Sequence, residues 1–307
     1  MEKQYELQAA LVVRVLADVA LENCFAIKGG TAINLFELDL PRLSVDVDLT
    51  FVKVAGREES SKEIYHALER TTVALKRHGV DARQVGNEFA RKIYCSDGEV
   101  SIKIEPNFIL RGTAFPVRNM SVCEKAQEKF GMVRMQVLSF QELYGGKVCA
   151  ALDRQHPRDL FDMVQFYKAH SLAEIKEGFL VLALGHNRPL HELLAPVPQD
   201  QSATFDQQFA GMSDVPFSYD EHQAVLTRLM RDVCALFDDG DRQRLLEFVS
   251  LSGVDNPWNI PHFDELPAIR WKRRNLDSLK KTNPDKFTSQ RDALERLFEE
   301  VRGKARK

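Results

Sequence analysis

The sequence predicts an α+β protein: a mixed strand-and-helix half up to residue 138, followed by a helical half over residues 139–307. Three observations carry this expectation. Polar and apolar residues alternate strictly between Arg42 and Phe51, further strand-like stretches recur up to residue 138, and helical patterning dominates after Ser139. At 307 residues the chain can bury a sizeable core in one large domain or two modest ones.

Taken in order, apolar positions at helical spacing over residues 5–21 predict a first helix. Phe25 to Ile27 form a short apolar strand that ends in Lys28-Gly29-Gly30-Thr31, and a second helix covers Ala32 to Glu37. After Pro41, strand alternation sends Val45, Val47, Leu49 and Phe51 to one side and Ser44, Asp46, Asp48 and Thr50 to the other. A long helix follows from about Glu58 to His78. Strands are then expected around Val80–Val85, Phe89–Cys95, Val100–Ile104, Phe115–Val122 and Met132–Leu138. Ser139-Phe-Gln-Glu142 is a capping box that opens a helix reaching about Asp153. Pro157 occupies a first helical turn ahead of Arg158 to Ala169. The stretch from Asn187 to Ser218, with Pro189, Pro196, Pro198 and Pro216, reads as a long loop.

Composition narrows the function classes. No apolar run approaches the roughly 20 residues that span a bilayer, and the first residues lack the layout of a secretory signal. The 5 cysteines are scattered without a Cys-x-x-Cys pair. That argues against a disulfide framework or a cysteine zinc site and fits a reducing cytoplasm. The histidines show no His-x-x-x-His spacing either, so no zinc site is expected. The net charge of −3 hides an asymmetry, because 13 Lys and Arg face 6 Asp and Glu between Arg270 and Lys307. A basic tail on an acidic body suits a nucleic-acid or acidic partner, and equally a solvated helix face.

The chemistry concentrates at Asp46-Val-Asp48. Two residues apart on a strand, both carboxylates project from one face. Such a pair repels when ionised, and a hard divalent cation such as Mg²⁺ relieves the repulsion. Lys28-Gly29-Gly30-Thr31 precedes it at a strand-to-helix turn, where glycine lets the backbone approach a phosphate and the helix N-terminus supplies N–H donors. Val100-Ser-Ile-Lys-Ile-Glu105 also alternates, so Ser101, Lys103 and Glu105 share a face. Glu105 meets the Asp pair if the two strands are neighbours, which would complete a carboxylate site for one or two metals. On the helix after Ser139, Lys147 and Arg154 lie seven residues apart on nearly one face. Lys147 offers a point charge to a triphosphate and Arg154 a fork for phosphate or carboxylate, while an ion pair of Arg154 or Arg158 with Asp159 or Asp162 stands as the plain structural alternative. Gly145 and Gly146, which cost the helix about 1 kcal/mol each, indicate close approach of another backbone or a ligand. Trp258 and Trp271 are expected to be packing anchors.

Lys28-Gly-Gly-Thr-Ala-Ile-Asn-Leu-Phe36, Arg42-Leu-Ser-Val-Asp-Val-Asp48, Leu143-Tyr-Gly-Gly-Lys147 and Arg158-Asp159-Leu-Phe-Asp162 together resemble the AbiEii/MenT family of nucleotidyltransferase toxins. A weaker likeness continues into Leu266 to Leu276, so the resemblance spans most of the chain. It implies a polymerase-β-like nucleotidyltransferase domain over 1–138 and a helical domain over 139–307 that completes the active-site cleft. It further implies an NTP substrate, a transcription-regulating antitoxin partner, a place in phage defence and, as in some members, a tRNA acceptor. Position by position, Asp46 and Asp48 match the metal-binding pair, Lys147 the helical lysine and Asp159 the acidic residue after it. Thr31 stands where many members carry serine.

The expected reaction is NTP plus acceptor hydroxyl giving nucleotidylated acceptor and pyrophosphate. Asp46, Asp48 and Glu105 are the expected metal ligands, with Lys147 and Asp159 completing the catalytic set. Lys28, Gly29, Gly30, Thr31, Arg42, Ser44, Lys147 and Arg154 are the expected nucleotide contacts. Two rival readings accompany it: a non-catalytic interaction protein on the same scaffold, and a nucleotidyltransferase acting on a protein or small-molecule hydroxyl.

Overall fold

The alternating segment forms the central strand of a sheet. In the computed structural model, which describes Met1–Ala305, seven strands are ordered β3-β4-β5-β2-β1-β7-β6. They are β1 (Phe25–Lys28), β2 (Asp46–Phe51), β3 (Asp81–Val85), β4 (Lys92–Ser96), β5 (Ser101–Asn107), β6 (Arg118–Ser121) and β7 (Arg134–Val137). The sheet is mixed: β1 runs parallel to β7 and β2 parallel to β5, whereas β1 and β2 are antiparallel. β2 is central because Val47, Leu49 and Phe51 are fully buried. Helix α1 (Lys3–Val19) packs beside β2, β5 and β7, on a face that buries Leu11, Val12, Val15 and Leu16.

After β1 the chain turns at once into α2 (Gly29–Ala32), whose last turn widens to a π-helical Ile33–Glu37. Helix α3 (Arg57–Arg77) starts from an extended Gly56 and packs against α1 and β3, and α4 (Glu124–Phe130) joins β6 to β7. Helix α5 (Phe140–Arg154) begins where the capping box places it. Ser139 Oγ accepts the Glu142 N–H at 3.1 Å and lies 3.0 Å from the Glu142 carboxylate, which also accepts from the Ala114 N–H at 2.9 Å.

Two compact units divide the chain. The first holds Met1–Leu143 together with Asp206–Pro216, and the second holds Tyr144–Phe205 and the chain from Phe217 onward. The second unit is helical: α6 (Pro157–Phe166), α7 (Lys176–Leu184), α8 (Leu190–Leu194), α10 (Tyr219–Ala235), α11 (Asp239–Val249), α12 (Pro267–Thr282) and α13 (Pro284–Ala305). The last residues of the basic tail, Arg306 and Lys307, lie outside the described residues. The stretch expected as one long loop instead contains α8 and α9 (Ser202–Gln208). Leu190, Leu193 and Leu194 are buried at helical spacing, and that burial outweighs the flanking prolines. Asp206–Pro216 also has a task in the first unit. Leu43 N donates to Met212 O at 2.8 Å and Ser213 Oγ to Pro41 O at 2.9 Å, so the segment braces the approach to β2. Among the described residues no helix is long and apolar enough to cross a membrane.

Candidate active site

The site begins at the end of β1. Gly29 adopts φ +71, and a Cβ there would lie 2.7 Å from Asp48 Oδ2. Next to it, a Cβ on Gly30 would lie 2.5 Å from the Arg42 guanidinium. Gly29 is therefore favoured by its left-handed backbone and by the close approach, whereas a Cβ at Gly30 would require the buried Arg42 side chain to shift. Strand register then carries the site across the sheet: Lys28 pairs with Asp48, Asp48 with Glu105, and Asp46 with Lys103. Asp46 and Asp48 are half-buried on one face of β2, with Val47 buried on the other. Asp48 and Glu105 line an open cleft of about 380 Å³, walled by Lys28, Lys92 and Phe108.

Beneath this surface lie the supports. Thr31 is buried, and its hydroxyl is within hydrogen-bond distance of Ser44 Oγ, at 2.9 Å, and of the Asp46 carbonyl. Arg42 is buried under Gly30 and donates Nη1 to Leu43 O at 2.9 Å. The side chains of Thr31, Arg42 and Ser44, expected to touch a nucleotide, face inward here and fix the turn to the start of β2.

Glu105 arrives beside Asp48, as two neighbouring strands require. Its carboxylate is engaged by lysines: Lys103 Nζ at 2.5 Å and Lys92 Nζ at 3.3 Å. Lys103 also comes within 3.9 Å of Asp46 Oδ1. Burial by itself raises the Glu105 pKa, but the hydrogen bonds and charges of Lys103 and Lys92 outweigh it and hold the carboxyl below the usual range. The Lys103 pKa is raised, chiefly by its hydrogen bond to Glu105, against burial and with help from Asp46. Asp46 and Asp48 fit a divalent cation in donor chemistry and in sharing a strand face, with Gly29 leaving the Asp48 carboxylate the room it occupies. Glu105 is not assembled with them as a third ligand here, and among the described residues no three acidic, His or Cys side chains are grouped as a ligand set. Lys103, beside both Asp46 and Glu105, is a neighbour that the sequence offered no role, although its position two residues before Glu105 already put it on that face.

Lys147 and its partners form a second charged centre within the helical unit. Lys147 Nζ sits 2.8 Å from both Asp159 Oδ1 and Asp162 Oδ2, and all three side chains are buried. Arg154 Nε reaches Asp159 Oδ2 at 2.6 Å. Burial alone raises the Asp159 pKa, yet Lys147 and Arg154 overcome it and hold the carboxyl well below the usual carboxylate range. The charge on Lys147, expected to meet a triphosphate, is thus balanced locally by two aspartates, and Arg154 forms the ion pair that was the structural alternative. Asp159 is brought close by α6, which starts at Pro157 with His156 Nδ1 accepting the Arg158 N–H at 3.1 Å. Gly145 is explained by a backbone: a Cβ there would lie 2.6 Å from Phe179 N on α7. Trp258 packs on Phe263 and donates to Asp241 at 3.2 Å, whereas Trp271 is exposed rather than an anchor.

A family model described as the nucleotidyl transferase AbiEii toxin of type IV toxin–antitoxin systems matches residues 10–250. Among solved structures, the nucleotidyltransferase toxin MenT4 from Mycobacterium tuberculosis H37Rv is similar with a TM-score of 0.59 at 16% identity, over 78% of this chain and 88% of that one. At that identity the likeness is one of fold. No curated protein matches the chain.

Proposed function

The chain belongs to the AbiEii family of nucleotidyltransferase toxins, and from that premise we propose that it is a Mg²⁺-dependent enzyme that transfers NMP from an NTP to the 3′ hydroxyl of a tRNA. Family membership brings an NTP substrate and an antitoxin partner. The observation that carries the finer reading is the register of Lys28, Asp48 and Glu105 across β1, β2 and β5, with Gly29 close against Asp48 and Asp46 on the same strand.

Asp46 and Asp48 would hold the metal, which when bound neutralises charge on the triphosphate and favours ionisation of the acceptor hydroxyl. The Gly29-Gly30 turn would receive the phosphates on backbone N–H groups at the start of α2, where the N-cap residue Lys28 makes no side-chain cap. Lys28, paired in register with Asp48, adds a cation on the same side. The acceptor oxygen bonds to the α-phosphorus, the bond to the β-phosphate bridging oxygen breaks, and pyrophosphate leaves. Lys103 keeps Glu105 ionised and positioned beside Asp48, ready to receive the hydroxyl proton. A tRNA acceptor is supported by the resemblance to family members that modify tRNA ends and by the positive charge on α12, where 6 Lys and Arg face 1 Asp. A cytoplasmic setting suits the five free cysteines, and a role in phage defence follows the AbiE-type resemblance.

The test is to incubate the protein with each α-³²P-labelled NTP, Mg²⁺ and total RNA, beside Asp46→Asn. Label in a tRNA-sized band with the unmodified protein alone supports the reading. Label on protein would move the acceptor, and equal labelling by Asp46→Asn would remove the metal assignment.

A further inference from the structure

Among the described residues, three arginines close to the Asp48–Glu105 cleft form no ion pair, although Arg91 lies within electrostatic reach of Glu69. Arg57, exposed at the start of α3, lies with its guanidinium 4.0 Å from the centroid of the Phe89 ring. Arg91 lies 4.2 Å over the Tyr65 ring and donates to Gln84 Oε1 at 2.9 Å. Arg111 is only 8% exposed; it donates Nη1 to the Phe108 carbonyl, and its Nε is buried without any acceptor. Among the described residues, the contacts of these three are a ring, an amide oxygen and a carbonyl, and none is an ion pair. The Arg111 pKa is pushed down, first by burial and then by the charge of Arg57. Arg57 and Arg111 repel each other with no ion pair to offset the cost, and a bound anion removes it.

The position of the cluster says which anion. Phe89, Arg91 and Phe108 wall the same cleft as Asp48 and Glu105. In the sheet order β4-β5-β2-β1, Asp48 separates that wall, on the β4–β5 side, from the Gly29-Gly30 turn on the β1 side. If the turn holds the triphosphate, the arginine side faces the other substrate. Guanidinium planes lying on aromatic rings both neutralise phosphates and stack on bases, the combination that single-stranded RNA requires.

We propose that Arg57, Arg91 and Arg111, with the Phe89 ring, bind the phosphodiester backbone of a single-stranded RNA acceptor end and deliver its terminal hydroxyl toward Asp48. This deepens the RNA-acceptor reading above and rests on it. The assignment is tested without NTP, by anisotropy of a fluorescein-labelled single-stranded oligoribonucleotide titrated with the protein and with the double variant Arg57→Glu/Arg91→Glu at several salt concentrations. Arg57→Ala alone, at an exposed position, guards against misfolding, and melting curves of each variant check it. The expected result is at least about a tenfold loss for the double variant and a salt slope shallower by about 1–2, with Arg57→Ala in between. Wild-type affinity and slope in the folded double variant overturn the proposal, as does absence of oligonucleotide binding by the unmodified protein. The labelled-NTP assay fails separately: if no RNA is labelled although binding depends on these arginines, the transfer reading falls and the RNA surface stands.

Discussion

Two charged centres in this protein use the same residue types to opposite ends. At Asp46, Asp48 and Glu105 the carboxylates are half-buried, Asp48 and Glu105 border an open cleft, and partly exposed lysines lie beside Asp46 and Glu105. At Lys147, Asp159 and Asp162 the charges are buried and matched at 2.8 Å by neighbours on adjacent helices. The first arrangement keeps charge accessible at a cost in self-repulsion. The second shields charge from solvent and depends on complete pairing. Burial, more than residue identity, separates a centre suited to binding from one suited to holding helices together.

The comparison breaks most sharply at Asp46. Asp46→Asn should lower nucleotidyl transfer by on the order of 10³-fold, the worth of several kcal/mol of charge stabilisation, while urea unfolding moves by less than about 1 kcal/mol. A large stability loss there would mean that the first centre is structural after all. Lys147→Met should do the reverse and cost about 3–5 kcal/mol in unfolding free energy, because it removes the buried cation that Asp159 and Asp162 share. Stability close to the unmodified protein would show that the helical cluster is open to solvent.

Acid sharpens the contrast. The folded pKa of Asp159 lies below its unfolded value of about 3.9, so its contribution to stability is complete above that pH and is lost as the pH falls toward the folded value. Unfolding free energies measured from pH 7 down to 3 should therefore decline less in Asp159→Asn than in the unmodified protein; parallel curves would remove the assignment.

The two glycine sites differ by smaller amounts. Gly145→Ala drives a Cβ into the α7 backbone at 2.6 Å, and should destabilise by about 1–3 kcal/mol despite a better helix propensity. Gly29→Ala should cost about 1–2 kcal/mol for its left-handed backbone and also displace Asp48, lowering transfer and thermal midpoint together. A variant of Gly29 with normal activity would separate the turn from the site.

Much of the candidate site was legible because it depends on short-range rules. Alternation put Asp46 and Asp48 on one face, and put Glu105 on a face with Lys103, whatever lay beyond the strands. The capping box located the start of α5 to within a residue, since a Ser side chain and an N–H three positions on are neighbours in any helix. The Gly145 position announced a close approach without saying to what, because a missing side chain looks the same beside a backbone or a ligand. The loop expected over 187–218 failed for the complementary reason: prolines and polar residues are local signals, whereas the burial of Leu190, Leu193 and Leu194 is decided by what packs against them.

The amino-acid order alone determined the α+β class, the strand that carries the Asp pair, the glycine turn and the helix that carries Lys147. Tertiary structure decided which charges meet. It set Glu105 beside Asp48 yet under Lys103, turned Thr31 and Arg42 inward, closed Lys147 between two aspartates, and left Arg57, Arg91 and Arg111 on rings and neutral oxygens rather than in ion pairs. The physical reason is range: periodicity is written by bonds a few residues apart, while pairing and burial of charge depend on strand register and helix packing between residues far apart in the chain.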